Sequence, residues 1–175
     1  QDLIWQPAVE TYLKGQRAAM FDLMAWNADG TRMPWRMHSE YLYRLYLDNE
    51  LATNRFPVDG KLVRLSDIRV PMFVVGTEAD HVAPWKSVYK VDNLVRSDDF
   101  TFLLTAGGHN AGIVCGPVHP KRHYRIKTRR LADPHLAPDD WMEAAERVQG
   151  AWWPAWQAWL AAHSSARGKP PAMGA

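Results

Sequence analysis

Two short apolar runs constrain the fold of this chain more than any other feature. "PMFVVG", bounded by Pro71 and Gly76, and "DFTFLLTAGG", which starts at Asp99 and ends in a glycine pair, are compact and almost continuously apolar. Runs of this kind, closed by proline and glycine, read as buried strands of a parallel sheet. Between them "APWKSVYKVDNLV" has helical spacing, with Pro84 in its first turn. Strand, helix and strand in this order form a βαβ unit, so a parallel sheet with flanking helices is expected.

The sequence on either side has a different texture. From Pro7 to Trp26, Val9, Tyr12, Leu13, Met20, Leu23 and Met24 recur at roughly helical spacing, with Gly15 as a weak point, which predicts one or two amphipathic helices. "NADGTRMPW" interrupts the pattern. "HSEYLYRLYLDNELA" resumes it, with Ser39 as N-cap and Tyr41, Leu42, Leu45 and Leu51 on one side. "FPVDGKLVRLSDIRVP" is turn-rich and partly alternating. Further on, "PDDWMEAAERVQG" reads as a helix from Pro138 to a stop at Gly150. "WWPAWQAWLAAH" reads as another, with Trp152, Trp156 and Trp159 on one face and Pro154 tolerated in the first turn. The chain therefore divides into a helical segment, 1–56, an α/β portion, 57–163, and a flexible tail, 164–175.

Bulk properties narrow the class. A length of 175 residues suits one core of ordinary size, or a piece of a larger one. Hydrophobic residues at 47% and charged residues at 23% exclude a disordered chain. No apolar run is long enough to span a bilayer, and no signal peptide is visible. A formal charge of +2 argues against nucleic acid as a partner, although "HPKRHYRIKTRR", from His119 to Arg130, concentrates six Lys or Arg with no acid. The single cysteine, Cys115, excludes an internal disulfide and points to a reducing, cytoplasmic compartment. A lone cysteine is most simply a small buried residue. The first residue, Gln1, hints at a fragment or a processed chain.

Ligands of open parallel sheets collect beyond the carboxyl ends of the strands. There "GTEADHVAPW" supplies Asp80 and His81, and "GGHNAGIV" supplies His109. Adjacent strands lie about 4.8 Å apart, so the two loops can bring a carboxylate and an imidazole together. An aspartate bonded to one ring nitrogen fixes the tautomer and leaves the other nitrogen free as a base. A pair of this kind is often structural or merely exposed. Two details favour catalysis: each residue follows a buried strand, and Gly107 and Gly108 remove bulk where a substrate would approach. No nucleophile elbow of the G-x-S-x-G type accompanies the pair. "GHNAG" has Asn110 at its centre, and "GIVCG" places Cys115 beside the glycine. In α/β-hydrolases the chain order is nucleophile, acid, histidine, so on that pattern the nucleophile is expected N-terminal to Gln1.

"WNADGTRMP", "YLDNELA", "GTEADHVAPW", "GGHNAGIV" and "GAWWPAWQAWL", in this order from about Trp26 to Leu160, resemble the C-terminal half of the catalytic domain of the polyhydroxyalkanoate synthases, bacterial polyester polymerases. The resemblance implies an α/β-hydrolase core with a helical lid, here residues 1–56, the chain being the C-terminal portion of a larger domain. It implies a cysteine, aspartate and histidine apparatus in which Asp80 and His109 are catalytic, His81 at most supports them, and the cysteine lies upstream. The implied substrate is a 3-hydroxyacyl-coenzyme A thioester, and the implied partners are the growing polyester, the granule surface and a second copy of the chain. No metal or redox cofactor is implied. The basic stretch from Lys121 to Arg130 could meet coenzyme A phosphates, but a solvated loop is the simpler reading. The tryptophans could touch a granule, but core packing is the simpler reading. Gly107, Asn110 and "VCGP" depart from the commonest wording of the family and mark a divergent subgroup. An esterase or polyester depolymerase, or a non-catalytic fragment that binds a granule or partner, are the alternatives.

Overall fold

The computed structural model describes residues 5–16, 21–116, 119, 121–166 and 168–169. The chain divides into two units, Gln1–Leu47 and Asp48–Ala175. The first is helical. Helix α1, Trp5–Ala8, widens into a π-helical turn over Val9–Leu13, and Gly15 leaves it at φ 65°. Helix α2 covers Asp22–Ala28; Met20, ahead of it, lies outside the described residues. Helix α3, Trp35–Glu40, likewise widens over Tyr41–Leu47.

Ser39 therefore sits inside α3 and caps nothing. The N-cap position belongs to Pro34, which is extended at φ −54° and ψ 139°. The helix also stops short of Leu51, because Asn49 adopts the left-handed conformation at φ 47°, which asparagine tolerates better than most residues. No described side chain of this unit is buried.

The second unit opens with a hairpin, β1 Phe56–Val58 against β2 Lys61–Val63. Asp59 and Gly60, at φ 48° and 75°, form its two-residue turn, where an Asp-Gly pair accepts the positive φ that the strand twist demands. The main sheet holds β3 Met72–Thr77, β4 Asp99–Thr105, β5 His123–Arg130 and β6 Glu146–Gln149, in that order. Helix α4, Trp85–Tyr89, and a 3₁₀ turn, Lys90–Asn93, connect β3 to β4. That pair is parallel, as the βαβ reading requires.

The remainder corrects the expectation in three ways. The sheet is mixed, since β5 and β6 both run antiparallel to their neighbours. An antiparallel neighbour needs no crossover helix, and the described residues between β4 and β5 form none. The basic stretch is not a solvated loop: His123–Arg130 is strand β5, paired on both edges. The expected helix from Pro138 to Gly150 is also two elements, α5 over Pro138–Ala144 and then β6. Ala145 is already extended at φ −79° and ψ 132°, and Val148 pairs with Tyr124. Gly150, at φ 115°, turns the chain out of β6 towards helix α6, Trp153–Ala162.

The alternating side chains of β4 divide the core into two layers. Phe100, Phe102 and Leu104 pack with Tyr89 of α4 and Trp141 of α5. Leu103 faces the other way, with Tyr124, Trp152, Trp153 and Trp156. All seven residues of β4 are buried. Burying an aromatic or large aliphatic side chain contributes about 1.5–3 kcal/mol, so this strand anchors the unit. Of the tryptophans near α6, Trp152 is buried, Trp153 and Trp156 pack against it half-buried, and half-buried Trp159 makes a tilted contact with Phe73 at 5.6 Å. Residues 164–166 and 168–169 carry no regular helix or strand, and the rest of the expected tail lies outside the described residues. Among the described residues no helix is long and apolar enough to cross a membrane.

Candidate active site

The parallel register aligns Thr77, the last residue of β3, with Thr105, the last of β4. The loops leaving these residues therefore start side by side at the carboxyl edge of the sheet. Backbone bonds join them further, from Glu78 N–H to the Thr105 carbonyl at 3.0 Å and from Ala79 N–H to the Gly107 carbonyl at 2.9 Å. Asp80 stands in the first loop and His109 in the second.

Asp80 is held by its own loop. Its Oδ1 accepts from the N–H groups of Val82 at 2.9 Å and Ala83 at 2.8 Å, an Asx-type turn leading towards α4. Its Oδ2 accepts from Thr77 Oγ1 at 3.2 Å. His109 Nδ1 lies 3.1 Å from Oδ1 and 3.0 Å from Oδ2. The Ala83 amide first, then the His109 ring, and with them Val82 and Thr77, hold the Asp80 carboxyl well below the usual carboxylate range, against a smaller opposing effect of desolvation. Asp80 is therefore a carboxylate whose orientation is set before His109 is considered.

With Nδ1 facing an acceptor that has no proton to give, the neutral imidazole carries its proton on Nδ1 and leaves the Nε2 lone pair free. Nε2 has no hydrogen-bond partner among the described residues, and the His109 side chain is 45% exposed against 8% for Asp80. An oriented imidazole on a part-exposed side chain, with one nitrogen free of partners among the described residues, can take a proton from a substrate or nucleophile and return it.

The site differs from expectation in several respects. His81 is exposed and takes no part in the Asp80–His109 pair. At Gly107 the absent side chain does not open space for a substrate, because the chain itself fills it. Gly107, at φ 119°, lies where a Cβ would collide with the guanidinium of Arg122, and a Cβ on Gly108 would face the Ala79 carbonyl at 3.6 Å. Gly112 is equally constrained, since its Cβ would come within 2.6 Å of the Thr77 methyl. Gly107 and Gly112 let the histidine loop pack closely against its own surroundings, whereas Gly108 has room for a side chain. Cys115 is only partly buried, and its Sγ accepts from Arg122 Nε at 3.3 Å.

Sequence reasoning missed what holds the histidine loop. Arg122, grouped there with the other basic residues, donates to the Ala106 carbonyl at 2.6 Å and the Ala111 carbonyl at 3.1 Å. The indole N–H groups of Trp152 and Trp153 donate to the Ile113 and Cys115 carbonyls at 3.2 and 2.9 Å. Beside the pair, Glu78 Oε1 lies 3.2 Å from His123 Nε2. Only the adjacent positions of Trp152 and Trp153, two large N–H donors, gave any sign of this. Among the described residues, no three His, Cys, Asp or Glu side chains form a group able to hold a metal ion.

No family model matches the chain. Its sequence is 40% identical over 166 residues to a poly(3-hydroxyalkanoate) polymerase subunit of Rhizobium etli, covering 95% of the chain and 25% of that protein. It is 37% identical over 172 residues to a polymerase subunit of the same description from Cupriavidus necator, covering 98% of the chain and 28% of that protein. It is 39% identical over 159 residues to a poly(3-hydroxyalkanoate) polymerase of Methylorubrum extorquens, covering 91% of the chain and 26% of that protein. The chain thus spans about a quarter of the length of the curated relatives it matches.

Proposed function

The chain is a homologue of the poly(3-hydroxyalkanoate) polymerases that spans about a quarter of their length, and from that premise we propose that it supplies the acid–base half of a polymerase active site. One observation carries the reading: His109, oriented through Nδ1 by Asp80, presents a free Nε2 at the carboxyl edge of two parallel strands. In this reading the fold is the C-terminal portion of an α/β-hydrolase core, residues 1–56 are lid-like, and the nucleophilic cysteine comes from polymerase sequence outside these 175 residues.

The chemistry proceeds in two halves. His109 Nε2 takes the proton of the cysteine thiol, and the thiolate attacks the carbonyl carbon of a 3-hydroxyacyl-coenzyme A. The bond to coenzyme A sulfur breaks, the imidazolium returns the proton to that sulfur, and the acyl group stays on the cysteine. His109 then takes the proton of the 3-hydroxyl of the next unit. The resulting oxygen nucleophile attacks the acyl-cysteine, the bond to the cysteine sulfur breaks as the ester forms, and the imidazolium returns its proton to the cysteine thiolate. Acyl transfer between thioester and ester needs neither a metal nor a redox cofactor. The growing polyester, its granule and a second copy of the chain are the partners of this reading, which places the protein in the cytoplasm.

The test uses a full-length polymerase carrying this segment, with 3-hydroxybutyryl-coenzyme A as substrate. His109→Ala and Asp80→Ala should each lower thiol release substantially, by about 10²–10⁴-fold for the loss of a general base, with the fold retained. Near-normal turnover in either variant overturns the assignment. A product of free 3-hydroxy acid without polymer would favour the esterase or depolymerase reading instead.

A further inference from the structure

We infer that Arg122 is the positioning residue for His109, a role that rests on the reading of His109 as the general base. The argument begins with the loop itself. It leaves β4 at Thr105 and carries His109 on a stretch holding three glycines, Gly107, Gly108 and Gly112. Glycine has the largest backbone freedom to lose on ordering, so a loop of this composition does not hold an imidazole in place unaided.

Arg122 supplies the restraint from the opposite end of the loop, one residue before β5 begins at His123. Its three nitrogens reach three separate points on the loop. Nη1 donates to the Ala106 carbonyl at 2.6 Å, before the glycine pair; Nη2 donates to the Ala111 carbonyl at 3.1 Å, two residues after His109; and Nε donates to Cys115 Sγ at 3.3 Å, where the loop moves away. The guanidinium therefore ties together the two sides of the turn that carries His109. A planar fork of five N–H donors can serve acceptors in three directions at once, whereas an ammonium is a compact point charge on a flexible stem. Bonds from an ionised donor are also stronger than neutral ones.

The glycine pattern agrees independently. A Cβ at Gly107 would occupy the place of Nη1, and the φ of 119° there disfavours any side chain. The bare Gly107 backbone leaves room for the guanidinium and for the Gly112 backbone, which a Cβ would approach to 3.0 Å. Arg122 touches neither Asp80 nor His109 in any described hydrogen bond, so it acts through the loop rather than on the reacting atoms. It also belongs to the basic stretch that could have been assigned to coenzyme A phosphates, yet all of its N–H-bearing nitrogens are engaged within the chain.

Two measurements decide this. The first is ¹⁵N NMR of the histidine rings in the 175-residue chain, which reads the His109 tautomer without requiring activity. The intact chain should show His109 protonated at Nδ1 only. Arg122→Ala and Arg122→Lys should both give a mixture of tautomers while the amide signals of β4 stay in place. Methylguanidinium added to Arg122→Ala should restore the single Nδ1–H form. The second measurement is turnover in the full-length polymerase, where Arg122→Lys should lower kcat by about a hundredfold, the scale of a misplaced reacting group, and leave KM unchanged. A single Nδ1–H tautomer in both variants overturns the inference. So does a rise in KM at unchanged kcat, which would make Arg122 a substrate contact. If Arg122→Ala fails to fold, Arg122→Lys decides by the same two readouts. An intact polymerase without turnover would sink the proposed function but leave the tautomer result standing.

Discussion

Asp80 accepts from the amides of Val82 and Ala83, from Thr77 and from His109, and each of these partners favours its ionised form. A carboxyl whose folded pKa is depressed adds stability that is fully present above its unfolded value, near 3.8, and is lost as the pH falls through its folded value. Asp80→Asn keeps the shape and removes the charge. It should melt at a lower temperature than the parent near neutral pH, and the gap should narrow as the pH drops below 3.8. Thermal melts across the acid range check this, and a gap that stays constant would mean that the charge contributes nothing. Both Asp80 and His109 could be read from the sequence, because a polar residue just after a buried strand has few places to go. Arg122 could not, because nothing in "HPKRHYRIKTRR" distinguishes the one arginine that folds back onto the loop from its neighbours.

At the scale of elements, β5 shows how charge conceals a strand. Arg125, Lys127 and Arg129 sit opposite Leu104, Phe102 and Phe100, on the face covered by α4 and α5. Apolar strands normally announce themselves by uncharged inward positions, and here the inward positions are cations. The two arginines are accommodated because they have acceptors. Arg125 donates to the Met142 and Ala145 carbonyls at the end of α5, at 3.0 and 3.2 Å, where the helix leaves acceptors unpaired and its dipole favours a cation. Arg129 pairs with the buried carboxylate of Asp92, at 2.6 Å. Arg125→Met preserves the length of the stem but leaves those carbonyls without their donor. It should cost about 1–3 kcal/mol, the penalty for an unsatisfied buried polar group, and chemical denaturation will measure it. A loss within error would mean that other donors take over. The βαβ unit was legible because its two strands carry no such charges. The strand β6 was not, since "ERVQ" follows α5 without a break and only its pairing with β5 makes it extended.

For the molecule as a whole, the burial is uneven. Every buried residue of the described chain lies in Asp48–Ala175, and no described residue of Gln1–Leu47 is buried. A chain that begins at Asp48 should therefore melt cooperatively, within a few degrees of the 175-residue chain. Loss of the cooperative transition on this truncation would show that the first unit contributes to the core. The sequence by itself determined the parallel βαβ unit, the helical character of the first unit, and the placement of Asp80 and His109 at one edge of a sheet. Each of these follows from local periodicity and from the rule that a strand must end in a loop. Only the tertiary structure decided that β5 and β6 close the sheet antiparallel, that the glycines of the histidine loop accommodate Arg122 and Thr77, and that tryptophan and arginine side chains hold the loop in place. These outcomes depend on which groups meet across long separations in the chain, and hydrogen-bond donors find their acceptors only after the sheet has brought them together.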